Sequence, residues 1–389
     1  MKFVLFYHSL VSDWNHGNAH FLRGVVAELL ARGHAVEVYE PADGWSRSQL
    51  VAEHGEAPLA EFAARFPPLS SRTHDYDVAS VDLDAALDGA DVVVVHEWNP
   101  PELVARIGRH HRGARGRRRL LFHDTHHRSV SAPAEMVRYD LADYDGVLAF
   151  GETVRRRYLE NGWCARAWTW HEAADVRVFH PIEGVERERD LVWIGNWGDD
   201  ERARELEEFL IEPVRRLGLA AEAYGVRYPA HALDALARAG IAYRGWLANH
   251  RVPEVYARFR ATVHVPRRPY AEALPGIPTI RMFEALACGM PLVSAPWRDD
   301  EGLFEPGRDY LVAADGEDMC RKLADVLADA GLAAELAAHG LATIRARHTC
   351  AHRVDELLEL LRTLDAPARA AAPAGAARSV PIEENTAHA

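Results

Sequence analysis

Residues 274–297 read LPGIPTIRMFEALACGMPLVSAPW, and within them Arg281 and Glu284 stand three residues apart. A loop broken by Pro and Gly leads into a short helix, Gly289 stops it, and a strand follows. This spacing puts both side chains on one helix face near its N-terminus, with Thr279 at the entry. The backbone N–H groups and the positive dipole end there suit an anion. A carboxylate one turn further in suits vicinal hydroxyls such as those of a ribose. The set matches the needs of a nucleotide diphosphate, although it also describes an ordinary helix-to-strand connection carrying a solvated ion pair.

Other residues offer chemistry compatible with this. In VPRRP, Arg267 and Arg268 follow a strand end, where guanidinium groups suit a diphosphate and its developing charge. Gly195 and Asn196, with Gly198 just beyond, close another strand and permit near approach of backbone to phosphate. Gly17 occupies the loop after the first strand, beside Asp13, His16 and Asn18. The segment FHDTHHR brings His123, Asp124, His126 and His127 to a further strand end. His16, His123, Asp124 and His126 are the candidates for taking a proton from an attacking hydroxyl, or for binding a sugar. FHDTHHR lacks the spacing of an HExxH metal site, and Asp-x-Asp recurs at Asp75/Asp77, Asp82/Asp84 and Asp143/Asp145. Three copies in one acidic chain carry little information, so none is assigned a metal.

Whole-chain properties exclude several classes. A formal charge of −13 argues against generic nucleic-acid or anionic-membrane binding. Lys2 and Lys322 are the only lysines, so a Walker loop is absent and arginine must meet any phosphate charge. Cys164, Cys288, Cys320 and Cys350 are widely spaced and read as reduced thiols. No secretory leader and no membrane-length apolar run is visible, which leads us to expect a cytoplasmic protein with at most peripheral membrane contact.

Two βα halves must position these residues. In the first, strands are expected near 2–8, 35–39, 91–96, 120–123 and 146–150, with an extended piece near 75–78 and helices over 19–32 and 46–65. In the second, strands are expected over 190–194, 220–224 and 261–266, with another ending at 245. Helices over 203–217, 230–239, 253–259, 315–330, 332–347 and 352–364 accompany them. This alternation predicts an α/β protein with parallel sheets and helices on both faces, its ligands lying beyond the carboxyl ends of the strands. Trp168 and Trp170 read as a packed hinge before the second half rather than as a sugar-stacking pair.

With IPTIRMFEALACGMPLVSAP in the second half, HEAADVRVFHP at the crossing and DLVWIGNWGD after it, the chain resembles glycosyltransferases of the GT-B fold, group 1 type. Within that group it looks most like the CgeB-like (spore-maturation-protein-like) branch. The resemblance implies two Rossmann-like domains facing a cleft. It divides the chain into an acceptor-side domain (1–170), a crossing (171–189), a nucleotide-sugar-binding domain (190–345), a helix returning to the first domain (346–365) and a disordered tail (366–389). It implies transfer of a sugar from a nucleotide diphosphate-sugar to a hydroxyl of a polysaccharide, glycolipid, protein or other cell-surface glycoconjugate. Neither a metal nor a separate cofactor is implied, and nucleic acid is not an expected partner. Glu284 would take the ribose, and Arg281, Thr279, Gly195, Asn196, Arg267, Arg268 and Gly17 would surround the donor. Many members carry Glu-x7-Glu; here Gly276 occupies the first position, so the role of that glutamate does not carry over. A nucleotide-sugar epimerase and a catalytically silent nucleotide-sugar-binding protein are the alternatives.

Overall fold

The computed structural model describes residues 1–113 and 118–365. The tail expected over 366–389 lies outside the described residues. Seven parallel strands form the N-terminal sheet: β1 (Lys2–Phe6), β2 (Ala35–Pro41), β3 (Thr73–Tyr76), β4 (Val92–His96), β5 (Arg119–Asp124), β6 (Gly146–Ala149) and β7 (Ala167–Thr169). Their spatial order is β3-β2-β1-β4-β5-β6-β7. The second sheet comprises β8 (Arg189–Ile194), β9 (Ala221–Tyr224), β10 (Ala242–Tyr243), β11 (Phe259–His264), β12 (Leu292–Ser294) and β13 (Leu311–Val312), in the order β10-β9-β8-β11-β12-β13. Every pairing in both sheets is parallel. The strand order reverses between β1 and β4 and again between β8 and β11, and at such switch points the connecting loops part to leave a crevice.

The sequence dictates this arrangement locally. β4 reads VVVVH and is buried throughout, as a strand covered on both faces must be. The helix Ala19–Ala31 buries Phe21, Leu22, Val25, Val26 and Leu29 along one stripe. Each such side chain contributes roughly 1.5–3 kcal/mol when fully removed from water. Gly24 on the same helix lets the C-terminal helix Cys350–Asp365 approach, since a Cβ there would lie 2.4 Å from Cys350 Sγ. That last helix therefore packs on the N-terminal half, and Arg32 Nη2 donates to the Ala351 carbonyl at 3.0 Å. The crossing segment is tied to the start of that last helix, with Ala174 N on His348 O and Cys350 N on Ala174 O, both at 3.0 Å.

Some elements differ from expectation. The single helix expected over 46–65 is two, Trp45–His54 and Ala57–Arg65, because Gly55 turns the backbone into the left-handed region at φ 68°. β7 and β13 are additional edge strands of three and two residues, too short to carry a readable alternation. Among the described residues, no helix is long and apolar enough to cross a membrane.

The two halves are joined by polar contacts from several loops. Asp13 accepts from Trp246 Nε1 at 3.1 Å and from Asn249 N at 3.0 Å. Asn15 meets Asn196, and Glu61 accepts from Arg251 Nε at 2.8 Å. Glu301 accepts from Glu152 N at 2.8 Å and pairs with His171 at 2.7 Å.

Candidate functional site

Between the carboxyl ends of the two sheets lies a cleft of about 270 Å³. The N-terminal half lines it with the loop after β1 (His8, Asp13, Asn15, His16, Gly17, Asn18), with Trp45 and Trp98, and with Thr125, His126 and His127 after β5. The C-terminal half contributes Gly195 and Asn196 after β8, Gly225–Arg227 after β9, Arg267 and Tyr270 after β11, and Thr279–Arg281. Glu172 enters from the crossing. Asn15 and Arg227, the non-glycine residues with left-handed φ among the described residues, both line this cleft. Such conformations persist where surrounding structure imposes them.

The C-terminal wall carries groups that suit an anion. The helix Ile280–Ala287 begins at Thr279, whose hydroxyl meets His264 Nε2 at 3.1 Å and does not cap its own helix. The N–H groups of Ile280 and Arg281 are thus left to the cleft, while Met282 N donates to the Thr279 carbonyl at 3.0 Å. Arg281 reaches Glu284 one turn on. Glu284 is 0% exposed, and its other oxygen meets His20 Nδ1 at 2.8 Å. Burial alone would push the Glu284 carboxyl up; Arg281 and His20 more than offset this and hold it below the usual carboxylate range. Arg267 lines the cleft while paired to Glu201 at 2.7 Å. Arg202 is buried against the Trp193 ring and, among the described residues, donates to the carbonyls of Val265, Asn196 and Trp197. Burial, and then its neighbour Arg267, lower its pKa to about 9, so it stays charged at neutral pH. This wall is positive although the chain as a whole is acidic. Its Gly195 loop is held tightly, because a Cβ on Gly225 (φ 152°) would lie 2.2 Å from the Gly195 carbonyl oxygen.

Imidazoles dominate the facing wall. Glu40, fully buried, accepts from Leu10 N at 2.7 Å and Val11 N at 3.2 Å and so shapes the loop that carries His16. His16 Nε2 and His126 Nδ1 are buried without a hydrogen-bond partner. Burial, with the neighbours His8 and Arg23, holds His16 well below the usual imidazole value. Burial, with His127, Arg128 and Arg267, does the same to His126. Both rings are therefore neutral and keep a lone pair. Gly17 brings the loop against the opposite domain, where a Cβ would lie 3.1 Å from Ile280 Cγ2.

Of the residues singled out from sequence, His16, Gly17, His126, Gly195, Asn196, Arg267, Thr279 and Arg281 meet at the cleft. Four others lie elsewhere. Glu284 sits one layer beneath, behind Arg281. Asp124 accepts from His126 N at 2.9 Å and from the Tyr158 hydroxyl at 2.7 Å, which commits both its oxygens below the cleft floor. His123 is fully buried among Phe21, His96 and Trp170, and burial lowers its pKa to about 3. Arg268 turns away to Glu205, at 2.9 Å. None of the Asp-x-Asp acids lines the cleft; Asp82, for example, caps the helix Leu83–Ala86. Trp170 is buried with its Nε1 on Arg353 O at 2.8 Å, in keeping with a packed hinge.

Among the cleft residues that escaped the sequence reading are Arg202, Glu172, Trp45 and Trp98. Arg202 ends the GNWGDDER loop and could have been found as a basic residue following a strand-end glycine. Glu172 had no local signal, because only the crossing's path between the domains brings it here.

Residues 202–359 match a family described as glycosyl transferase-like. No curated protein matches the chain in sequence. Sucrose-phosphate synthase from Thermosynechococcus elongatus superposes with a TM-score of 0.63 at 14% identity, over 94% of this chain and 99% of that one. Anabaena HepE in complex with UDP gives a TM-score of 0.65 at 14% identity, over 93% and 100%. A variant of S. aureus TarM in complex with fondaparinux, α-GlcNAc-glycerol and UDP gives 0.67 at 10%, over 92% and 99%. At such identities the likeness is one of fold. Two parallel-sheet Rossmann-like domains around one cleft thus make this a GT-B-fold protein, and its residues 202–359 form a glycosyl transferase-like segment.

Proposed function

We propose that the protein is a glycosyltransferase that moves a sugar from a nucleotide diphosphate-sugar to an acceptor hydroxyl. The observation that carries this reading is the C-terminal wall, where an uncapped helix N-terminus and Arg202, Arg267 and Arg281 converge on one cleft of an acidic chain. Fixed positive groups of this kind bind a diphosphate and stabilise the charge that grows on it as the glycosidic bond breaks. In this reading arginines perform that task, and no metal or further cofactor takes part. The neutral rings of His16 and His126 face the other side, where a free imidazole lone pair takes the acceptor's proton. A bound diphosphate strengthens them as bases by adding negative charge nearby. Asp124 then positions His126 through its backbone N–H, and Glu284 orients Arg281; a direct contact of Glu284 with ribose would require Arg281 to give way. Seam contacts that close the cleft would keep water from the donor.

Several neighbours by fold were solved with UDP, which makes UDP the first nucleotide to try. Thermal unfolding with UDP, GDP, dTDP and ADP is the direct test. One of them, at a hundred times its dissociation constant, is expected to stabilise the fold by about 2.7 kcal/mol. No shift with any of the four would reject the reading. Conversion of a nucleotide sugar without acceptor would favour an epimerase instead.

We assign the acceptor to the carbohydrate class, as part of a polysaccharide or glycolipid. Trp45 and Trp98, 45% and 42% exposed, stand at the mouth of the cleft on its N-terminal side. Trp98 is braced by Arg128 at 4.7 Å from its ring centre and by His126 at 5.0 Å. Held aromatic faces stack on sugar rings, a contact worth about 0.5–1.5 kcal/mol. Trp98→Ala is expected to raise the acceptor KM about three- to tenfold and leave the donor KM unchanged. Steady-state kinetics with both substrates varied will show whether the effect falls on the donor instead. Four unpaired, buried thiols support a cytoplasmic site of action, and the CgeB-like branch rests on the sequence motifs.

A further inference from the structure

Glu172 is 4% exposed, lines the cleft, and has a buried Oε1 without a hydrogen-bond partner. Its backbone, by contrast, is fixed: the carbonyl accepts from Arg353 Nε at 3.3 Å. An unpartnered buried carboxyl costs stability, so a fold retains one where a ligand supplies the missing partner. Its position indicates which part of a ligand. Glu172 interacts electrostatically with Arg281, on the wall suited to a diphosphate, and with Tyr270. Tyr270 in turn packs edge-on against His127 of the opposite wall, with ring centres 5.2 Å apart. Glu172 therefore stands where the two walls meet. In a nucleotide diphosphate-sugar, the sugar is the part between the diphosphate and the acceptor.

We propose that Glu172 is a specificity-determining residue that holds a ring hydroxyl of the donor's sugar through its carboxyl group. This assignment rests on the glycosyltransferase reading above. Burial and the nearby Glu284 push the Glu172 carboxyl well above its ordinary range, with Arg281 offsetting them in part. This shift favours the protonated carboxyl, which can both donate to and accept from a hydroxyl. Glutamine has the same shape and the same two capacities.

Calorimetric titration of the full chain with UDP, GDP, dTDP and ADP, and with the glucose conjugate of each, tests the assignment. Glu172→Ala is expected to bind the selected nucleoside diphosphate within about twofold of wild type, but to lose about tenfold in affinity for the conjugate. Glu172→Gln is expected to recover most of that loss. Both variants should melt at or above the wild-type temperature, because neither removes a partner from another group. A structural role would lower it. Wild-type affinity for nucleotide and conjugate alike in Glu172→Ala would overturn the assignment and leave the nucleotide reading standing. Equal losses for both ligands would place Glu172 on the nucleotide and overturn it too. A wild-type protein that binds none of the eight ligands would reject the nucleotide reading, and the assignment with it.

Discussion

Arg281→Ala is expected to lower both stability and nucleotide affinity, and one further substitution separates the two effects. Arg281 holds a Glu284 carboxylate that is wholly buried, while the Arg281 side chain is 24% exposed, to the cleft. Removing one partner of a buried pair leaves the other charged and alone, which costs about 3–5 kcal/mol. Here the lower end applies, because the pair is partly open and Glu284 keeps His20 at 2.8 Å and Asn249 Nδ2 at 3.4 Å. The lost contact to a diphosphate adds about 1.5–3 kcal/mol to the binding free energy, roughly a ten- to hundredfold weakening. Adding Glu284→Gln to Arg281→Ala removes the stranded charge without restoring the guanidinium. The double variant should therefore recover much of the stability, measured by denaturant unfolding, and none of the affinity for UDP. Recovery of affinity along with stability would mean that Arg281 acts on the nucleotide only by supporting the fold.

How much of this was visible in the sequence depends on how local each feature is. β4 and the helix Ala19–Ala31 could be read because a buried parallel strand and a one-sided helix write their burial into consecutive residues. Residues directly after a strand end or at a helix start, such as Gly195, Arg267 and Arg281, reach the cleft because the fold sends those positions there. Beyond them, local reasoning loses its hold. Arg268 follows Arg267 immediately, yet it leaves the cleft for Glu205 on a neighbouring helix. Glu284 does share a face with Arg281, as the three-residue spacing requires, but that face meets His20 from the other domain. Such contacts depend on how two sheets are set against each other, which no window of sequence encodes. Glu172 is the extreme case: its neighbours are alanines and a histidine, and only the docking of the crossing makes it part of a cleft.

The same non-local logic makes Asp13 more consequential than its loop position suggests. From sequence it is one polar residue among several after β1, as suited to binding a ligand as His16. In the structure no part of its carboxylate is free. One oxygen accepts from Trp246 Nε1 at 3.1 Å; the other accepts from Asn249 N and from Arg23 Nη1, each at 3.0 Å. Two of these donors belong to the C-terminal half, so Asp13 is a latch between the domains and not a proton acceptor. Asp13→Ala strands the Arg23 guanidinium, which keeps the carbonyls of Leu10 and Val11 and the Phe62 ring face but no anion among the described residues, and leaves two donors across the seam unmatched. The expected cost is about 3–5 kcal/mol in unfolding free energy. Its functional signature should differ from that of Arg281→Ala. The wall proposed for the diphosphate belongs to the C-terminal half and survives, so UDP affinity should fall only slightly, whereas closure of the cleft should suffer. Transfer to acceptor is then expected to drop more than donor hydrolysis, because an open cleft admits water. Small-angle scattering of the folded variant should show a larger radius of gyration. A variant as compact as the wild type, with hydrolysis and transfer reduced in equal proportion, would mean that the remaining seam contacts hold the cleft shut without Asp13.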